Sequence, residues 1–178
     1  MDAQTSHATR STPRRRERID RDRWVSIRPI ERTDAAGLSD FYARLSPESR
    51  HRRFLGYTSL PDAALGRRFT DPEGEGFLAV LDEAGPNDGA IVAHASLQPD
   101  RPDSAEIAFA VADELQGRGL GRLLMEVVLA DARRRGLHRL TATLYAENAP
   151  MRQLLRGAGV QILSDDIDAG VEEIAVAV

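Results

Sequence analysis

The segment Gln116-Gly117-Arg118-Gly119-Leu120-Gly121-Arg122 constrains the fold of this chain more than any other, because it joins a strand pattern to a helix pattern. Upstream, Ala105 to Val111 reads as a strand. Downstream, Leu120, Leu123, Leu124, Val127 and Val128 recur on one helical face until Gly136. Three glycines at alternate positions let the backbone approach a ligand closely, and the first N–H groups of the helix have no intrahelical acceptor. The helix dipole adds about half a positive charge at the same point. Such a turn can cradle an anion, although tight strand-to-helix packing would select the same residues. It is not a P-loop, since no lysine follows the glycines. Its spacing is also not that of a dinucleotide-binding turn, and the strands before it read as a meander.

The rest of the chain supplies a mixed sheet around this turn. Val25 and Ile27 alternate as in a first strand. Thr33 or Asp34 can cap a helix through Leu38, Phe41, Tyr42 and Leu45. Ser46 and Pro47 begin a second helix bearing His51, Arg52, Arg53 and Phe54, and a short helix covers Asp62 to Phe69. Phe77 to Leu81, Ile91 to Leu97 and Ala105 to Val111 form an antiparallel meander. After the long helix come a strand from Leu140 to Tyr145, a helix capped by Asn148, and strands over Val160 to Leu163 and Val171 to Val176. The expected architecture is α/β (α+β), a mainly antiparallel sheet of six to seven strands with helices on both faces.

At 178 residues, one domain over 24–178 is expected, preceded by a tail. Residues 1–23 hold seven arginines against four carboxylates, a net +3, with few apolar side chains, and this segment reads as disordered. The remainder carries 17 arginines against 24 acids, a net −7. Specific nucleic-acid or membrane binding by the tail is not expected, because the aromatic and apolar partners such sites use are absent. No apolar run has the length of a membrane span or a secretory signal, so a cytoplasmic protein is expected. The absence of cysteine excludes disulfides, thiolate metal sites and a cysteine acyl intermediate, and four scattered histidines suggest no metal. All 24 basic residues are arginines.

The stretch Gln116 to Gly121 resembles the Gln/Arg-x-x-Gly-x-Gly/Ala motif of the GCN5-related N-acetyltransferases (GNAT), in the same strand, loop and helix context, and Asn148 stands where that family often opens its next helix. The resemblance covers Val25 to Val178. Ala105-Glu106-Ile107-Ala108-Phe109, Asn148-Ala149-Pro150-Met151-Arg152, Leu45-Ser46-Pro47-Glu48-Ser49 and Arg52-Arg53-Phe54 look most like the catalytic domain of bacterial Pat-type protein lysine acetyltransferases. That resemblance implies acetyl-CoA as cosubstrate. Its pyrophosphate would be held by the loop N–H groups around Arg118, Gly119, Leu120, Gly121 and Arg122, and its pantetheine arm by Phe109, Ala110 and Val111, with Gln116 and Gly117 of the same turn and Asn148 and Met151 on the next helix also binding the cosubstrate.

Amide formation from a thioester needs a neutral amine, whereas an exposed lysine has a pKa of about 10.4, so a base is required. Glu106 is the expected catalytic base, on one strand face with Ala108 and Ala110, against the plain alternative of a surface glutamate. Many family members carry a tyrosine acid where Leu154 and Leu155 stand here. Tyr145, His51 and His94 are weak substitutes, and no acid is assigned. Arg52 and Arg53 could face the acceptor, although helix arginines are ordinarily solvated. The expected reaction is acetyl transfer to a protein lysine. The alternatives are a small amine acceptor, or a non-catalytic acetyl-CoA-binding module.

Overall fold

A computed structural model describes residues 14–20, 23–56, 61–70 and 75–178. Its sheet has eight strands among these residues: β1 (Arg15–Arg18), β2 (Trp24–Pro29), β3 (Glu75–Leu81), β4 (Ile91–Arg101), β5 (Ser104–Val111), β6 (Arg139–Tyr145), β7 (Ile162–Asp168) and β8 (Val171–Ala177). They lie in the order β1-β2-β3-β4-β5-β6-β8-β7. All neighbours are antiparallel except β5 and β6, whose pairing runs only from Ser104 opposite Arg139 to Glu106 opposite Thr141. Beyond Glu106 the two strands part, and a cavity opens between them.

Five helices, α1 (Ala35–Arg44), α2 (Pro47–Phe54), α3 (Asp62–Thr70), α4 (Leu120–Arg135) and α5 (Ala149–Arg156), cover the two faces. The register sets Ala110 opposite His94, Ala108 opposite Ser96 and Glu106 opposite Gln98, so these six share a face. Helices α1 and α2 lie on it, where Tyr42 meets His94 and Arg53 meets Ser96. Helix α4 takes the other face: its Arg135 pairs with Glu75, whose register partner is Leu97. Leu120, Leu124 and Val128 of α4 are buried there as the helical spacing predicts. No helix of the described residues is long and apolar enough to cross a membrane.

Two expectations fail locally. Asp34 does not cap α1 with its side chain; its carboxylate turns back to Arg28, at 2.7 and 2.6 Å, and to the Glu31 N–H. The strand expected to end at Leu163 continues to Asp168, because β7 is a sheet edge whose exposed side tolerates Asp165, Asp166 and Asp168.

The expected disordered tail is corrected for residues 15–18, which pair with β2 as the eighth strand. Composition misleads here because an edge strand gains backbone hydrogen bonds without needing an apolar face. Arg16 lies 4.8 Å from the centre of the Trp24 ring and pairs with Asp82, while Ile19 packs on the core. Residues 1–13, 21 and 22 of the tail lie outside the described residues. Deleting Met1 to Asp22 should therefore cost about 1–2 kcal/mol of edge hydrogen bonds and cation–π contact, lowering Tm by about 2–8 °C. An unchanged Tm in calorimetry would show that β1 contributes nothing.

Candidate active site

Parting of β5 and β6 leaves a cavity of about 700 Å³. Ile107 to Val111 of β5 form one wall, and Thr143 and Leu144 of β6 another. The glycine loop with the first turn of α4 closes one end, α5 contributes Met151, Gln153 and Leu154, and α2 contributes Ser49, Arg52 and Arg53. Of the twelve residues expected around the cosubstrate, the cavity brings together Phe109, Ala110, Val111, Gln116, Gly117, Gly119, Leu120, Gly121, Arg122, Asn148 and Met151. Arg118 is not on its wall; the guanidinium pairs with Asp20, beside the edge strand. Glu106 is also off the wall. It is exposed, at the last paired position of β5 before the gap, and on the face of Ala108 and Ala110.

The loop glycines divide into two kinds. Gly117 and Gly119 adopt φ of 73° and 87°, and a Cβ at either would meet nothing within 4 Å, so the positive φ itself requires glycine. Gly121 has ordinary helical geometry; a Cβ there would only touch Leu154 at 3.5 Å. The positive-φ argument therefore applies to the first two glycines alone. Gly119 is the N-cap of α4 and provides no side-chain acceptor, leaving the N–H groups of the first turn for another partner.

A network not expected from sequence holds this loop in place. Asp113 accepts hydrogen bonds from the Ser46 N–H at 2.9 Å, from Ser46 Oγ at 2.8 Å and from Ser49 Oγ at 2.6 Å. Burial alone would raise its pKa, but the bonds from Ser49 and Ser46 prevail and hold it below the ordinary value. Gln116 Nε2 donates to Ser49 Oγ at 3.0 Å and to the Val111 carbonyl at 3.1 Å. The motif glutamine thus ties the loop to both α2 and β5. Ser46 was legible as a cap, and it does accept from the Ser49 N–H. Its partner Asp113, 67 residues away, was not.

On the far wall, Asn148 caps α5 by accepting from the Met151 N–H, and Arg152 anchors the preceding turn by donating to the Ala146 carbonyl. The Arg152 guanidinium lies 3.2 Å from the fully buried carboxylate of Glu172. Leu154 lines the cavity in the region of the expected tyrosine. Among the substitutes considered, His94 is fully buried against Tyr42, and burial followed by the charge of Arg53 pushes its pKa well below the ordinary histidine value. His51 stacks on Tyr145 with ring centres 4.9 Å apart, bridging α2 to β6. None of the three lines the cavity. No group of three or more histidine, aspartate or glutamate side chains among the described residues could hold a metal.

The fold agrees with known proteins. The model of the acetyltransferase (GNAT) family matches residues 37–160. The chain is 33% identical over 147 residues to the acetyltransferase PA5475 of Pseudomonas aeruginosa, covering 80% of this chain and 78% of that one. It is 27% identical over 155 residues to the acetyltransferase Pat of Mycolicibacterium smegmatis, covering 86% of this chain and only 46% of that relative, so it spans about half the relative's length. The crystal structure of the GNAT domain of S. lividans PAT superposes with a TM-score of 0.74 at 29% identity, over 87% of this chain and 91% of that domain.

Proposed function

The chain belongs to the GNAT family of acetyltransferases, and from that premise we propose that it transfers an acetyl group from acetyl-CoA to a primary amine, a protein lysine side chain. The observation that carries the transfer reading is the meeting of a helix start that no side chain caps, at Gly119 and the first turn of α4, with the gap where β5 and β6 part. The open space at Gly117 and Gly119 suits the close approach of a pyrophosphate. When bound, acetyl-CoA supplies an activated thioester. Backbone N–H groups in Phe109 to Val111 would hold the pantetheine arm and polarise the thioester carbonyl. Asn148 and Met151 would border the arm.

Glu106 acts in this reading as the base, taking through a water the proton that an ammonium must lose before it can attack. With Leu154 on the wall, no side-chain acid is assigned. A thiol pKa of about 8.5 makes the thiolate a competent leaving group, and the proton released from the attacking nitrogen can neutralise it. A small amine would need an enclosed pocket around its base. The exposure of Glu106, and its position off the cavity wall, favours a lysine on a protein surface instead. The net −7 of residues 24–178 steers basic acceptors in the same direction.

The absence of lysine gives a clean test. Arginine stays charged, with a pKa above about 12, so an untagged chain presents only its α-amino group to labelled acetyl-CoA. The protein should take up no label except at Met1, while a lysine-bearing acceptor protein is labelled and thiol is released in step. Label on an internal serine, threonine or tyrosine would contradict amine-only chemistry. Reaction with a polyamine or amino sugar but with no protein would make the acceptor a small molecule, and binding of acetyl-CoA with no thiol release against any acceptor would reduce the chain to a binding module.

A further inference from the structure

Arginines on the cavity wall differ in one respect. Arg52 pairs with Glu48 and Arg122 with Glu126, whereas Arg53 has no carboxylate partner among the described residues. Its guanidinium carbon lies over the rings of Phe54 and Phe69, 5.2 and 5.4 Å from their centres. One amino group donates to Ser96 Oγ at 2.9 Å, and the buried Nε has no hydrogen-bond partner. Buried donors are ordinarily satisfied, and a buried charge is ordinarily paired. This corner of the cavity is short of an acceptor and of a negative charge.

Its position along the cavity narrows what could supply both. Helix α2 touches the glycine loop at Ser49, through Gln116, and reaches β5 one turn later at Arg53, through Ser96, whose Oγ lies 3.4 Å from the Ala108 carbonyl. Ala108 lies just past the point where the strands part, on the face of Glu106, at the end of the cavity away from the loop. If the loop holds the pyrophosphate, Arg53 stands at the end where acyl group and amine meet. The side chains of Ala108 and Ala110 there are small enough to leave room for a substituent.

We propose that Arg53 recognises a carboxylate borne by one of the two reactants next to the reacting centre, either at the end of the acyl chain or beside the acceptor amine. This inference rests on the acyl-transfer reading above. A planar guanidinium whose Nε–H has no partner matches a carboxylate better than any other group found at that end of the reaction.

Two binding and rate comparisons test it and identify the source. In the acyl arm, calorimetry compares a stable carboxyethyl thioether of CoA with the uncharged propyl thioether. In the acceptor arm, acetyl transfer is compared for lysine peptides with a glutamate or a glutamine beside the lysine. A preference of about tenfold or more for the carboxylate in one arm is expected, the size of one charge-assisted hydrogen bond. Arg53→Gln should bring that ratio to about one, and Arg53→Lys, which keeps the charge but loses the planar fork, should leave it in between. Circular dichroism and Tm identify a variant that has failed to fold, and the wild-type ratios need no variant. Equal treatment of charged and neutral partners in both arms overturns the role of Arg53, as does a ratio that Arg53→Gln leaves unchanged. Failure of every CoA thioether to bind overturns the acyl-transfer reading instead.

Discussion

Glu106→Gln is expected to lower turnover by about 10²-fold or more while leaving affinity for acetyl-CoA within about twofold. Glutamine keeps the size and hydrogen bonding of the side chain but cannot take a proton. Glu106 is exposed, off the cavity wall and on an intact stretch of β5, so the change should not disturb the cosubstrate site or the fold. The loss should be largest at neutral pH, where an amine acceptor is mostly protonated, and should shrink as rising pH deprotonates the amine without help. Steady-state rates across pH, with calorimetry for acetyl-CoA, measure both quantities. Full turnover at neutral pH would remove Glu106 from the mechanism. An equal loss at every pH would show that it acts by position and not as a base.

Gly119→Val should abolish measurable acetyl-CoA binding, a loss of about 10²-fold or more. The residue has φ of 87° at the N-cap of α4. A β-branched side chain is strained there by roughly 1–3 kcal/mol and would project into the space that the pyrophosphate needs. Gly89 offers a control, since it has φ of 78° in the turn between β3 and β4, has equally open surroundings, and is not on the cavity wall. Gly89→Val should carry a similar cost in Tm with normal affinity. Gly121→Ala separates the effects from the other side. Its helical backbone accepts a Cβ that only touches Leu154, so Tm should hold while affinity falls. A folded Gly119→Val protein that binds as tightly as the parent would show that the phosphates lie elsewhere.

Much of the site was legible because it is built locally. Gln116 to Arg122 lie within one turn and the start of one helix, so their spacing alone carries the cradle, and the caps at Ser46 and Asn148 depend on residues three positions away. What escaped the reading depends on chain segments far apart. The bond from Ser46 to Asp113 spans 67 residues, and Arg53 reaches Ser96 across 43. Nothing in the helix pattern of α2 marked Arg53 as different from its paired neighbour Arg52, because pairing is decided by what the other elements bring to each.

The sequence by itself determined the order of the elements from Trp24 onward, the glycine turn, and the alternation that puts Glu106, Ala108 and Ala110 on one face, because periodicity and turn chemistry act over a few residues. Only the tertiary structure decided that β5 and β6 part after Glu106 and Thr141, which turns a strand face into a cavity. It alone decided that residues 15–18 complete an edge and that Arg118 turns away to Asp20. The physical reason is common to all three. Strand pairing and ion pairing are chosen among partners distant in sequence, and the winning partner depends on which surfaces the packed sheet and helices leave within reach.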